Sequence, residues 1–115
     1  MKDFCVQFKL CEDGYFTALR LVAGAVCSVA DLDLDLIEDF KLCVNESALI
    51  LKNGGFESVK AVFQTQNGVC AEISGLGGKP APCENELLIA LISALVEHCD
   101  IVNNGGIIDR VVLKI

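Results

Sequence analysis

The chain has 115 residues, of which 53% are hydrophobic, and a formal net charge of −7. This length fits one domain, and this hydrophobic content excludes an intrinsically disordered protein. The negative charge excludes nucleic acid as a ligand, since its binders need a basic surface, but leaves a basic protein partner open. No apolar run is long enough to cross a membrane and no signal-peptide core is present, so we expect a soluble, cytoplasmic protein.

Seven cysteines and a single histidine are spread along the chain. The odd number leaves at least one thiol unpaired, and no two cysteines form a C-x-x-C pair. Most lie within apolar patterns, where a free cysteine behaves as a small hydrophobic residue. We therefore expect buried, reduced thiols and no metal site, because zinc needs clustered ligands.

The first half of the chain predicts one strand and two helices. Apolar residues alternate from Phe4 to Leu10, which indicates a strand with one buried face. Helical spacing predicts helices over about 14–29 and from Ile37 to Leu51. The acidic connection from Asp31 to Asp35 supplies capping residues for the second helix, and Asn53-Gly54-Gly55 ends it.

The second half predicts two hairpins that flank a helix. Val59–Phe63 and Val69–Ile73 alternate as strands, and the Asn67-Gly68 pair between them favours a tight turn. Glycines and prolines predict a loop over 75–83, followed by a helix from about Glu84 to Cys99. A short strand over about 100–102 and the apolar run 107–115 indicate a last hairpin.

The order β-α-α-β-β-α-β-β predicts an α+β fold, a two-layer sandwich with a mixed, mainly antiparallel sheet. Three helices would cover one face of this sheet. The other face would be solvated or used in assembly.

One stretch, Tyr15 to Leu51, resembles the anti-sigma-factor serine kinases of the histidine-kinase-like (GHKL) ATPase superfamily. In those kinases a helix with a central Arg-Leu pair precedes an acidic turn and a helix reading roughly I-E-D-x-K-x-A-V-x-E. Here the matching residues are Arg20-Leu21, Ile37-Glu38-Asp39, Lys41, Val44 and Glu46. The end of the chain, Leu88 to Lys114, is similar to the closing helix and hairpin of that family. The resemblance implies the Bergerat-type ATP-binding fold.

The same resemblance implies an ATP site that is mostly lost. Glu46 stands where the kinases have their catalytic carboxylate, but the magnesium-binding Asn four residues later is replaced by Ile50. The adenine-reading segment corresponds to Gly75, Gly77 and Gly78, without the Asp that accepts from adenine. The residues 85–88 replace the glycines of the phosphate loop. We therefore expect no cofactor, and ATP with Mg²⁺ only if the site has kept its function.

Each candidate residue also has a plain structural interpretation. Glu46 is either a residual catalytic base or a solvated carboxylate, and the three glycines either bind phosphate or form an ordinary loop. His98 is expected at the end of the third helix, in a structural role. Arg20 either snorkels to the surface or contacts a partner, since the first helix of the resembled kinases contributes to dimer and sigma-factor surfaces.

Three functions remain open from the sequence. The first is an anti-sigma-like regulatory protein, in effect a pseudokinase, which binds a sigma factor or an antagonist-like protein and can form a homodimer. The second is an active ATP-dependent serine-protein kinase with Glu46 as base. The third is a structural or assembly module that uses the open face of the sheet.

Overall fold

Eight elements form in the predicted order in the computed structural model, which describes residues 3–115. They are β1 (Asp3–Lys9), α1 (Asp13–Val29), α2 (Leu34–Asn53), β2 (Ser58–Gln64), β3 (Cys70–Leu76), α3 (Glu86–Leu95), β4 (His98–Asn104) and β5 (Ile107–Lys114). The predicted α+β sandwich is confirmed.

The five strands pair in the order β1-β2-β3-β5-β4, and each of these pairings is antiparallel. A mixed, mainly antiparallel sheet was expected, and a helix does connect β3 to β4. These two strands do run in the same direction, but β5 lies between them and pairs with both. The described strands therefore contain no parallel pair.

The helices cover one face of the sheet, with α2 at the centre. Helix α2 packs against β2, β3 and β5, while α1 packs on α2, and α3 contacts both α2 and β4. Phe40 of α2 meets Phe63 of β2 edge to face, with ring centroids 6.4 Å apart. This aromatic pair anchors the helix layer on the sheet.

None of the three described helices covers the opposite face of the sheet, where charged side chains lie beside apolar ones such as Val62 and Val112. Lys60 and Arg110 are exposed there, and Arg110 Nη1 lies 3.0 Å from the carboxylate of Glu72. Such alternation of buried and polar positions is usual for an antiparallel sheet with one solvated side.

Helix α3 is shorter, and strand β4 longer, than predicted. Helix α3 ends at Leu95 instead of near Cys99, because Val96 takes an extended backbone and His98 already pairs with Lys114 across β4 and β5. His98 is therefore an exposed strand residue, and not the end of a helix. Tertiary strand pairing overrides the local helical spacing of this segment.

Candidate functional site

A cleft of about 320 Å³ lies between α1 and α2, and we call it the Arg20 cleft. Its lining consists of Asp13, Phe16, Thr17, Arg20, Asn45, Leu49 and Lys52. The α1 residues of this set are spaced three or four apart, so one face of the helix presents them all. The α2 residues follow the same spacing on the facing helix.

Arg20 is held in this cleft by two neutral side chains. Its Nη1 donates to Asn45 Oδ1, and its Nη2 donates to Thr17 Oγ1 at 3.0 Å. Thr17 lies one turn before Arg20 on α1, whereas Asn45 comes from α2. These two hydrogen bonds fix the orientation of the guanidinium. They use two of its five N–H groups.

The guanidinium of Arg20 forms no ion pair with any of the described residues. The other cation of the cleft, Lys52, lies 3.9 Å from Asp13 and 5.5 Å from the centre of the Phe16 ring. The Arg20 cleft can therefore receive a carboxylate, which a guanidinium binds through two parallel hydrogen bonds.

Glu46 lies on α2 next to Asn45, whose Nδ2 donates to its carboxylate at 3.3 Å. It does not belong to the lining of the Arg20 cleft. One turn later Ile50 is 0% exposed and packs in the core. The position that would bring a magnesium ligand beside Glu46 thus offers only buried hydrocarbon.

The glycines do not form the predicted loop as a unit. Gly75 lies inside β3, and the Phe56 ring occupies the space where a side chain would begin. Strand β3 continues to Leu76, past the start of the predicted loop, because Gly75 and Leu76 still pair with β2. Gly77 and Gly78 do lie in a loop, and both have a positive φ.

The loop after β3 folds back on the end of α2. The amides of Lys79 and Ala81 donate to the carbonyls of Gly55 and Gly54, at 3.0 and 2.8 Å. These amides are therefore engaged within the protein. The structure does not bring the three glycines and Glu46 into one cleft.

A second cleft, of about 440 Å³, lies between the end of α2 and the start of α3, and we call it the α3 cleft. It is lined by Leu49, Asn53, Glu84, Asn85, Glu86, Leu87 and Leu88. Leu49 contributes to both clefts, so they are neighbours along α2. From the sequence, residues 85–88 were considered only as the segment that replaces the phosphate loop of the resembled kinases.

Sequence reasoning identified Arg20 but missed its surroundings. The spacing of Thr17 and Arg20 on one helix was a usable signal. Asn45 and Lys52 reach the cleft through the packing of α1 on α2, which no local pattern specifies. The helix was expected to begin near Glu84, two residues before its actual start at Glu86, so Asn85 was not expected to precede its first turn.

The cysteines differ in burial, and therefore in the reactivity of their thiols. All seven are free thiols, and Cys27 and Cys43 are buried whereas Cys5, Cys11 and Cys83 are exposed. Burial raises the pKa of the Cys43 thiol to about 12 and that of Cys27 to about 11. Their neutral form is favoured by folding, so the stability they contribute is complete below pH 9 and lost as the pH rises through these raised pKa values.

We expect brief iodoacetamide treatment at pH 8 to modify the exposed thiols first. Cys43 and Cys27 should react at least about a hundredfold more slowly, because only the thiolate attacks and burial suppresses both thiolate and access. Mass spectrometry of tryptic peptides measures the order. Labelling in guanidinium should remove the difference, and equal native rates for Cys43 and Cys11 would contradict the packing of α2.

In the described part of the chain, no three His, Cys, Asp or Glu side chains cluster as a metal would require. Nor does any described helix have the length and hydropathy needed to span a bilayer. No protein-family model matches the sequence, and no significant match occurs among curated proteins. The resemblance to anti-sigma-factor kinases therefore stays a prediction from the residues quoted above.

Proposed function

We propose that this protein is a regulatory protein that acts by binding a protein partner through the Arg20 cleft. In this proposal it keeps the fold of the anti-sigma-factor kinases but has lost their ATP-dependent serine-kinase activity. Its partner would be a sigma factor or an antagonist-like protein of the cytoplasm, and a homodimer remains compatible with this role.

The observation that carries the proposal is the guanidinium of Arg20, which makes two hydrogen bonds but no ion pair within the part of the chain that the structure describes. A half-buried arginine that two neutral groups hold in place has already lost much of its side-chain entropy. A partner carboxylate can then bind with little further ordering cost. Leu49, which is half-buried in the lining of the same cleft, would supply apolar contact beside this charged anchor. Arginine flanked by apolar surface is typical of interface hot spots.

Three features support the absence of kinase activity. Ile50 replaces the magnesium ligand and is fully buried. The loop that would read adenine is hydrogen-bonded to Gly54 and Gly55. Glu86 belongs to residues 85–88, which the resemblance puts in place of the phosphate loop, and its negative charge and that of the neighbouring Glu84 would oppose a nucleotide.

The test is affinity purification from the source cytoplasm with three baits: the natural protein, Arg20→Glu and Arg110→Ala. We expect one partner whose recovery falls by about tenfold or more with Arg20→Glu, since this change replaces attraction to a carboxylate by repulsion. Cross-links should map to α1 and α2. Purified partner then gives the affinity by calorimetry.

Arg110→Ala is the matched control because Arg110 is an exposed arginine on the opposite face of the sheet. Its removal should leave partner recovery unchanged. The proposal fails if no captured protein depends on Arg20, or if both arginine variants lose the partner equally.

A further inference from the structure

The wall of the α3 cleft includes the buried side-chain amide of Asn85. Asn85 is only 7% exposed and precedes the first turn of α3. Its Nδ2 donates to the Cys83 carbonyl at 3.3 Å, but within the described residues its Oδ1 accepts no hydrogen bond. This oxygen is closed to solvent, so the Asn85 side chain must turn toward the cleft before a ligand N–H group can reach it, and the ligand then supplies the donor that the oxygen lacks.

The charge around this oxygen selects a cation. Glu84 and Glu86 flank Asn85, and neither forms an ion pair within the described residues. No lysine, arginine or histidine lines the cleft. The positive end of α3 offsets part of the acidic charge, which leaves room for one cation and gives no net attraction for an anion.

The apolar walls select a cation with a hydrocarbon stem. Leu49 and Leu88 are half-buried in the lining, and Leu87 is 87% exposed at its rim. An arginine side chain has an apolar stem that can lie along such leucines and a head with five N–H donors. The two carboxylates and the amide together offer five acceptor oxygens, which match the five N–H donors of a guanidinium better than the three of a lysine ammonium.

We propose that the α3 cleft binds an arginine side chain of the protein partner, with the guanidinium between the Glu84 and Glu86 carboxylates and the Asn85 amide oxygen. This inference rests on the proposed function. Because Leu49 separates the two clefts, one partner segment can place an acidic residue at Arg20 and an arginine at the α3 cleft, with apolar residues between them. The recognised pattern is then acid, apolar and base in that spatial order.

The test uses a small probe and needs no identified partner. Acetyl-leucyl-arginine amide is titrated into the ¹⁵N-labelled full chain and followed by NMR, with acetyl-leucyl-citrulline amide as an uncharged probe of nearly equal shape. We expect the backbone amides of 84–88 and the side-chain amides of Asn53 and Asn85 to shift with the arginine probe. The citrulline probe should bind roughly five- to tenfold more weakly, because it lacks the charge.

The variant Glu84→Gln/Glu86→Gln should weaken the arginine probe by a similar factor. Glu38→Gln/Glu97→Gln is its control, because it removes two exposed carboxylates outside the cleft and gives the same net charge. The inference is overturned if both probes bind equally, if both double variants behave alike, or if inorganic phosphate shifts the same amides. Loss of an Arg20-dependent partner with retained arginine binding would instead reject the proposed function alone.

Discussion

Replacing Ile50 by asparagine, which would restore the expected magnesium ligand, is expected to destabilise the protein by about 3–5 kcal/mol and to create no nucleotide site. Ile50 is fully buried in α2. The change removes apolar contacts and also buries an amide among the apolar side chains of the core. Chemical denaturation monitored by circular dichroism measures the loss, and calorimetry with Mg²⁺-ATP measures binding.

Ile50→Val is the matched control, because it keeps the side chain apolar. It should cost only about 1 kcal/mol. Neither the natural protein nor the two variants should give heat with nucleotide. If Ile50→Asn were as stable as the natural protein and bound Mg²⁺-ATP, position 50 would face a cleft, and the proposed loss of kinase function would be wrong.

Local pattern was enough to predict most of the fold. The alternation from Phe4 to Leu10 predicted β1 because one face of that strand lies against the helices. The Asn67-Gly68 pair predicted the β2–β3 turn, since Asn67 indeed takes a positive φ of 60°. The acidic connection was predicted correctly only in part, because Asp33 precedes the first turn of α2 but its side chain makes no capping hydrogen bond, and the helix already begins at Leu34.

The errors lie where a distant residue decides the structure. Apolar residues from Leu87 to Val96 are spaced for a helix, yet pairing with β5 draws the following residues into β4. In the same way, pairing with β2 keeps Gly75 in β3, where the Phe56 ring packs against it. Neither the sheet order nor the ring position is encoded in a short window of sequence.

Of the Arg20 cleft, only Arg20 itself could be predicted from the sequence. Arg20 could be singled out because it interrupts an apolar helical pattern. Its hydrogen bond to Asn45 joins residues that are 25 positions apart, and depends on how α1 crosses α2. The α3 cleft likewise needs the end of α2 beside the start of α3, although 31 positions (84 minus 53) separate Asn53 and Glu84. Long-range packing therefore makes both clefts.

Gly78→Ala is expected to destabilise the protein by about 3 kcal/mol, although a phosphate-binding glycine on a free loop would tolerate it at lower cost. Gly78 has a φ of +71°, and a Cβ there would overlap the Gly55 carbonyl oxygen and lie 2.8 Å from the Glu57 nitrogen. Both neighbours are backbone atoms that cannot turn away. Thermal and urea unfolding of the variant measure this cost.

Gly105→Ala separates the two causes of that loss. Gly105 has a similar φ of +63°, but a Cβ there would meet nothing within 4 Å. Its substitution should therefore cost only the backbone strain, about 1–2 kcal/mol. If the two variants were equally stable, the loop after β3 would not be packed against the end of α2, and its amides would be free to bind phosphate. A clear difference would instead assign Gly78 to the packing of this loop against the end of α2.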